Sequence, residues 1–435
     1  MPLSDRVTGS GPIRYRATPM DRVFAEARIV AAVGPIVGLD PDRTRATVAA
    51  AEHASDEPRL ALAPEADTSW WDYRTNIAAA GVEHLPDADT SDLGSLLTET
   101  RNRSGRRAPL EALVCGDYLA IDISHGLGDG QIGLMMLAAF ATDPDGSGAR
   151  GLAVGLPPGV TRKALRRFYS ANPRALRNLW RLRGTHKRKH HPESGSTRTI
   201  ENWESAKVSR SGYMAPAQVV ELKKWAKAQA PGATSASVSI ALWAAALRAE
   251  NVDVDDHIMV LFNSRRYLEP DLHSAHGNFA VGIPLHLPEA SGPGQIAKTM
   301  RAVIESGWPI AILGMSEVKD TLASIRGRAD APGTQAAADR TLTEVPDRLR
   351  LAVSDLGKLS VFGHVRWAQD GRPPQLAASL EPDGPDGVTM LISELEGGRT
   401  YTASFCSKFI GDAVIESALA RLCSDPVALL RDEVS

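Results

Sequence analysis

The chain has 435 residues, 43% of them hydrophobic and 23% charged, with a formal net charge of −3. That length exceeds one ordinary core and points to two domain-sized units, the apolar content suffices to bury both, and the near-balanced charge argues against a nucleic-acid partner. Cys115, Cys406 and Cys423 lie far apart in apolar segments, as free buried thiols of a reducing compartment do, rather than as a disulfide framework. Met1 to Gly9 lack the apolar core of a signal peptide, and no apolar run approaches the ~18 residues of a bilayer span, so a cytoplasmic protein is expected.

Along the chain, Asp21 to Ala54 is expected to be helical, with an alanine-rich stretch ending at His53 and several short strands after it. Leu110 to Ser124 alternates apolar and polar residues on both sides of Gly116-Asp117, the pattern of a β-hairpin. Gln131 to Ala141 is an apolar helix that stops at the turn-rich run beginning Asp143-Pro144. Residues 151–200 form a basic connector flanked by Pro and Gly. Beyond it come helices over Pro216 to Ala230 and onward from Pro231-Gly232 to about Arg248, then a strand from His257 to Asn263. Further strands are expected at Leu349–Val353, Val361–Trp367, Val388–Glu394 and Thr400–Phe405, before an amphipathic helix from Asp412 to Leu422. The chain is therefore assigned to the α/β class, with mixed sheets and covering helices in each half. Residues 1–165 and 201–435 are the two units and 166–200 the connector; no repeat of solenoid period is present.

The chemistry concentrates where the hairpin ends, in Ser124-His125-Gly126-Leu127-Gly128-Asp129-Gly130. Two glycines inside so short a segment permit backbone angles that a β-carbon would forbid, so the imidazole can project from a strand end into a cleft. With an ordinary pKa near ~6.5, such a histidine can take a proton from a hydroxyl or amine at neutral pH and return it to a leaving group.

This segment, set between its strand and its buried helix, resembles the HxxxDG signature of the CoA-dependent acyltransferase superfamily. That group includes chloramphenicol acetyltransferase, BAHD-type alcohol acyltransferases, condensation domains of peptide synthetases and polyketide-associated acyltransferases. Leu261-Phe262-Asn263-Ser264-Arg265 running to Gly277-Asn278-Phe279 is similar to the family's second conserved segment, and Val353-Ser354-Asp355-Leu356-Gly357 to its third. Condensation domains usually carry a second histidine where this chain has Ser124, which favours the simple acyltransferase branches, nearest to the polyketide-associated and natural-product tailoring enzymes of secondary metabolism.

The resemblance implies two chloramphenicol-acetyltransferase-like domains with a tunnel at their interface and His125 in its middle. His125 would be the general base of direct acyl transfer from a thioester to a hydroxyl or an amine, without a covalent acyl-enzyme. Asp129 would pair with Arg265 and shape the loop. Asn263, Asn278, Asp355 and Gly357 would support the site structurally, and the Gly130 amide is the candidate oxyanion donor. No bound cofactor and no metal are implied; acyl-CoA or a phosphopantetheine thioester is the co-substrate, and a small molecule or lipid the acceptor. Two alternatives stay open: a stand-alone condensation enzyme using carrier-bound substrates, and a catalytically silent protein that docks carriers. A monomer is expected.

Eleven Lys and Arg fall between Arg162 and Lys189, without one Asp or Glu. The segment suits an anionic donor, docking of an acidic acyl carrier protein over 162–189, or an anionic membrane surface; a solvated, partly disordered connector is the equally weighted alternative. His186, His190 and His191 sit among cations, and His273 and His276 in an expected loop, so neither set is assigned a metal. Trp70, Trp71 and Trp203 are assigned to packing. No G-x-S-x-G elbow and no Walker-type loop occurs.

Overall fold

In the computed structural model, the described residues are 14–55, 58–105, 107–142, 152, 159–188, 196–289, 291–325 and 342–432. The expected turn from Asp143 and the residues from Lys189 to His191 lie outside them. Two sheets organise the chain. The first contains β2 (Arg28–Gly34), β4 (Val82–His84), β5 (Leu110–Cys115), β6 (Tyr118–Ser124) and β13 (Gln375–Ser379), in the order β13-β2-β6-β5-β4. The second contains β8 (Lys207–Met214), β9 (His257–Asn263), β10 (Ala280–His286), β12 (Arg350–Lys358), β14 (Gly387–Leu395) and β15 (Gly398–Cys406), in the order β10-β9-β12-β14-β15-β8. Its β9–β12 and β12–β14 pairs are parallel and the rest antiparallel, which makes it a mixed sheet. Two ribbons complete the set: β1 (Arg14–Arg16) with β3 (Trp70–Asp72), and β7 (Thr197–Glu201) with β11 (Leu342–Pro346).

The hairpin forms as its alternation predicts, with Cys115 opposite Tyr118 and Gly116 at φ +60 in the turn. Ser124 consequently ends β6 at the rim of the sheet, and the apolar helix Gly130–Thr142 returns across that sheet, burying Ile132, Met136, Leu137 and Phe140. Every residue of β14 and β15 is buried, and the cause is visible in the polar contacts on one side of them. Ser393 Oγ donates to Leu376 O at 2.7 Å and the Ser404 and Ser379 hydroxyls meet at 3.1 Å, so β13 leans on both strands. β13 belongs by sequence to the second half and by pairing to the first sheet, where it lies antiparallel to β2. The chain thus crosses between sheets after β12, and this crossing ties the two together.

Three expectations are corrected. The helix expected from Asp21 to Ala54 is instead a short helix Pro19–Val23, the strand β2, and a helix Pro41–Glu52. Alanine content suggested helix, but Ile29, Val30 and Val33 are buried between β6 and β13 on one side or the other, and tertiary pairing overrides propensity. The strand expected at Val361–Trp367 is a 3-10 turn at Ser360–Phe362, because Phe362 and Val365 both point inward at a spacing of three and the Val365 N–H returns to Phe362 O.

The basic segment is also ordered over most of its length: helices Val160–Ala171 and Pro173–Thr185 occupy it, where a partly disordered stretch was the alternative. Ala164, Ala175 and Leu179 are buried, while Leu165, Phe168, Tyr169 and Leu182 pack against the same core, an apolar stripe of helical period. Gly307 makes room for this packing. It sits at φ +69, and a β-carbon there would lie 2.3 Å from the Phe168 ring. Gly307→Ala should therefore cost about 2 kcal/mol in urea unfolding, from backbone strain and overpacking together. A wild-type midpoint in that variant would mean the basic helices are not docked as described.

Candidate active site

His125 opens a 3-10 turn, His125–Leu127, directly after β6. Its amide donates to Ala27 O at 2.7 Å, and the Ser124 hydroxyl both donates to Ala25 O at 2.6 Å and accepts from Gly126 N at 3.2 Å. Space explains the glycines. A β-carbon on Gly126 would meet Ala25 Cα, Pro64 and the Trp71 ring at 3.0 Å, and one on Gly128, at φ +150, would meet Ile132 Cγ2 at 2.7 Å.

The Phe24 ring stacks on the imidazole with centroids 4.4 Å apart and planes at 19°. His125 Nδ1 is buried without a hydrogen-bond partner, and so is Asn278 Oδ1, whose amide nitrogen donates to His125 O at 3.0 Å. Burial drives the imidazole below its ordinary pKa of 6.5, against opposing pulls from its own backbone, the Asp129 charge and the Asn278 side chain.

Asp129 does not approach substrate space with a free oxygen. Arg265 Nη1 reaches Oδ2 at 2.7 Å and Nη2 reaches Oδ1 at 3.0 Å, a two-pronged pair with both residues buried. Oδ2 also accepts from Phe279 N at 2.9 Å and Ala280 N at 3.1 Å, and Oδ1 from Gln131 N at 3.2 Å. Burial alone would raise the carboxyl's pKa, but Arg265 and these amides outweigh it and hold the group below the ordinary carboxylate value. Arg265 spends its other donors on Ala275 O at 3.1 Å and Gly277 O at 2.9 Å, and its guanidinium lies 4.8 Å from the Phe279 ring centroid. Asn263 Oδ1 accepts from Arg265 N at 2.9 Å and so starts the short turn that carries the arginine.

Three residues that sequence reasoning missed complete the loop's support. Arg59 donates to Leu127 O at 2.6 Å and Gly126 O at 3.2 Å, and Asn278 holds His125 O, so all three carbonyls of the turn are fixed. Arg59 is itself paired with Asp21 at 2.7 Å and bonded to Tyr15 OH at 2.6 Å; Asp21 in turn accepts from Tyr15 OH at 2.9 Å and Asn278 Nδ2 at 3.0 Å. The only local signal was Thr18-Pro-Met-Asp21, a capping box that announces a helix start and says nothing of Arg59.

Asp355 and Gly357 stand further out. Asp355 accepts from Gly357 N at 2.7 Å and from Ser235 Oγ at 3.0 Å, Gly357 takes φ +64, and burial raises the Asp355 carboxyl. Leu356 between them nears the motif, its Cδ2 lying 3.9 Å from where a Gly130 β-carbon would stand. Gly130 is the first residue of its helix, where a backbone N–H has no partner within the helix. Beside the loop, a cavity of about 240 Å³ is lined by Tyr15, Asp21, Asn278, Phe279 and Arg14, among others. Trp71 is buried against Gly126, Trp203 is buried, and Trp70 is exposed on β3. Among the described residues no three His, Cys, Asp or Glu come together as a metal site.

The backbone arrangement is shared with solved proteins of little sequence likeness. The trichothecene 15-O-acetyltransferase TRI3 from Fusarium sporotrichioides superposes with a TM-score of 0.57 at 11% identity, over 96% of this chain and 95% of that one. The first condensation domain of the calcium-dependent antibiotic synthetase gives 0.59 at 15% identity, over 97% and 98%. Polyketide synthase associated protein 5 from Mycobacterium tuberculosis gives 0.51 at 13%, over 96% and 99%. No family model matches the sequence, and no curated protein does. The chain has the fold of the CoA-dependent acyltransferases and condensation domains.

Removing one partner of the Asp129–Arg265 pair strands a buried charge. Asp129→Ala should lose about 3–5 kcal/mol in chemical denaturation, and the double variant Asp129→Leu/Arg265→Met should regain a large part of it. Additive losses would show that the pair is not coupled as the geometry requires.

Proposed function

We propose that the protein is an acyltransferase that moves an acyl group from a thioester to a hydroxyl, or to an amine, with His125 as general base. The observation that carries this is the state of His125: a partly exposed imidazole kept neutral by burial, on a turn whose every carbonyl is clamped, beside a carboxylate whose oxygens are fully engaged elsewhere. A neutral imidazole accepts a proton, and a fixed turn keeps it aimed.

In the proposed step, His125 takes the acceptor's proton while the acceptor oxygen or nitrogen bonds to the thioester carbonyl carbon. The carbonyl oxygen becomes an oxyanion, for which the Gly130 N–H at the start of its helix is the candidate donor. Collapse re-forms the carbonyl, breaks the carbon–sulfur bond, and returns the proton from the imidazolium to the leaving thiolate. His125 ends as it began, with no acyl group on the protein. Asp129 and Arg265 act by shaping the loop, and Asn263, Asn278, Asp355 and Gly357 by holding the segments around it.

A second cavity, of about 430 Å³, suits an anionic donor. Lys223, Lys227 and Arg399 line it beside Ser235, the residue that bonds Asp355. Lys223 and Arg399 are shared with Glu394, which leaves Lys227 to meet a phosphate such as that of coenzyme A. Natural-product or lipid acceptors are the proposed partners. A condensation enzyme with carrier-bound substrates is the second reading, favoured by the superposition with a condensation domain.

Thiol release from acyl-CoA thioesters of graded length, with alcohol and amine acceptors, tests the proposal. Release should require an acceptor and fall by about 10²–10⁴-fold in His125→Ala. Acceptor-dependent release at wild-type rate in that variant would remove His125 as the base; activity with carrier-bound thioesters alone would select the condensation reading. The pH profile adds a sign. Burial depresses the imidazole, so kcat/KM should fall on the acid side with a midpoint below the ordinary 6.5. A midpoint above that value would contradict the burial described here.

A further inference from the structure

The helix Pro173–Thr185 has two faces that do not match. Ala175, Leu179 and Leu182 turn inward at positions i, i+4 and i+7, and account for its docking. On the outward face Leu176 is 49% exposed and Trp180 67%, one turn apart, so an apolar pair stands in solvent where a surface helix normally carries polar residues. Basic side chains surround the pair. Arg174, Arg177, Arg181 and Arg183 are all exposed, and Arg183 lies 5.9 Å from the Trp180 ring centroid.

Elsewhere in the basic segment several cations meet carboxylates: Lys163 and Arg167 share Glu269, Arg162 reaches Glu317 at 3.7 Å, and Arg188, just past the second helix, meets Asp255. The four arginines around Leu176 and Trp180 have no acidic partner among the described residues. Local charge is thus uncompensated where this large apolar pair is uncovered. Trp and Leu flanked by arginines on an exposed helix match the interfacial zone of a bilayer, where the indole sits among headgroups and guanidinium groups meet lipid phosphates.

We infer that this helix face docks the protein on an anionic lipid surface, Leu176 and Trp180 entering the interface and Arg174, Arg177, Arg181 and Arg183 pairing with phosphates. An acidic carrier protein would answer the charge but must also deliver a thioester to His125. The helix ends at His186, whose Nδ1 accepts from His286 N at the end of β10 away from Ala280, the residue that touches Asp129. Seven strand residues separate those two ends, about 20 Å. A flexible pantetheine arm can span such a distance, so it is the exposed Trp180 and Leu176 among arginines, the makeup of a headgroup interface, that favour a lipid surface. No helix among the described residues is long and apolar enough to cross a membrane, so the attachment is peripheral.

Flotation of the full chain with phosphatidylcholine vesicles, with and without one-third phosphatidylglycerol, tests the inference. The wild type should bind the anionic vesicles, and binding should weaken as salt rises. Converting the four arginines to glutamine should lower partitioning by about a hundredfold or more, and Leu176→Ser/Trp180→Ser by about tenfold. Because all six positions are exposed, both variants should keep the wild-type melting temperature, which is measured alongside. Absence of wild-type binding, or equal binding by either variant, overturns the inference. Arginine-dependent binding to an acidic carrier protein without vesicle binding also overturns it, in favour of a protein partner. Thiol release does not enter this readout, so failure here leaves the proposed chemistry standing.

Discussion

Everything at the site depends on one buried ion pair that links the two sheets. Asp129 belongs to the loop that follows β6 of the first sheet, and Arg265 to the turn that follows β9 of the second. Neither charge reaches water, so each is tolerated only while the other is in place, and the pair fixes how the histidine loop meets β10. The carboxylate reinforces this by accepting from Phe279 N, just before β10, and from Ala280 N, its first residue. Those amides would otherwise be orphans at a strand end, and binding them leaves Asp129 no oxygen for chemistry.

A second buried pair works on the same loop from the opposite side. Asp21 comes from the short helix before β2 and Arg59 from a turn after the helix Pro41–Glu52, and their ion pair is extended by Tyr15 and Asn278 into a network that touches all three carbonyls of the His125 turn. Because Asn278 follows Gly277, whose carbonyl Arg265 holds, the two networks meet one residue apart. The turn is therefore gripped by partners from both halves of the chain, and its backbone cannot shift without breaking charged hydrogen bonds.

The sequence showed what is local and hid what is assembled. The hairpin from Leu110 to Ser124, the helix after Gly130 and the strand from His257 to Asn263 were legible because alternation and apolar runs report burial directly. The Asp129–Arg265 pairing came from resemblance in motif, and its residues do meet. β2 was hidden because its alanines favour helix and both of its neighbours arrive from later in the chain, β13 more than three hundred residues later. Arg59 was hidden for the same reason: an arginine after Pro58 carries no pattern, and its role exists only once Gly126, Leu127 and Asp21 have been brought to it. The basic segment misled through its charge, which masked an apolar stripe of helical spacing beneath.

The Asp129–Arg265 pair also bears on the charge state of the proposed base, His125. Asp129 and Glu381 both pull the His125 imidazole toward its charged form, and an imidazolium cannot accept a proton. Each is already matched, Asp129 by Arg265 and backbone amides, Glu381 by Arg101 and Lys207, so burial prevails and holds the ring below its ordinary pKa. In the proposed acyl transfer, the residual field of Asp129 and the face of Phe24, stacked at 4.4 Å, both favour the imidazolium form of His125. Stabilising influences of that kind are small in the resting state and larger once charge develops, which is the difference a catalyst needs. Asp129 thus stands near enough to favour the imidazolium of the proposed step and is too fully bonded to hold one at rest.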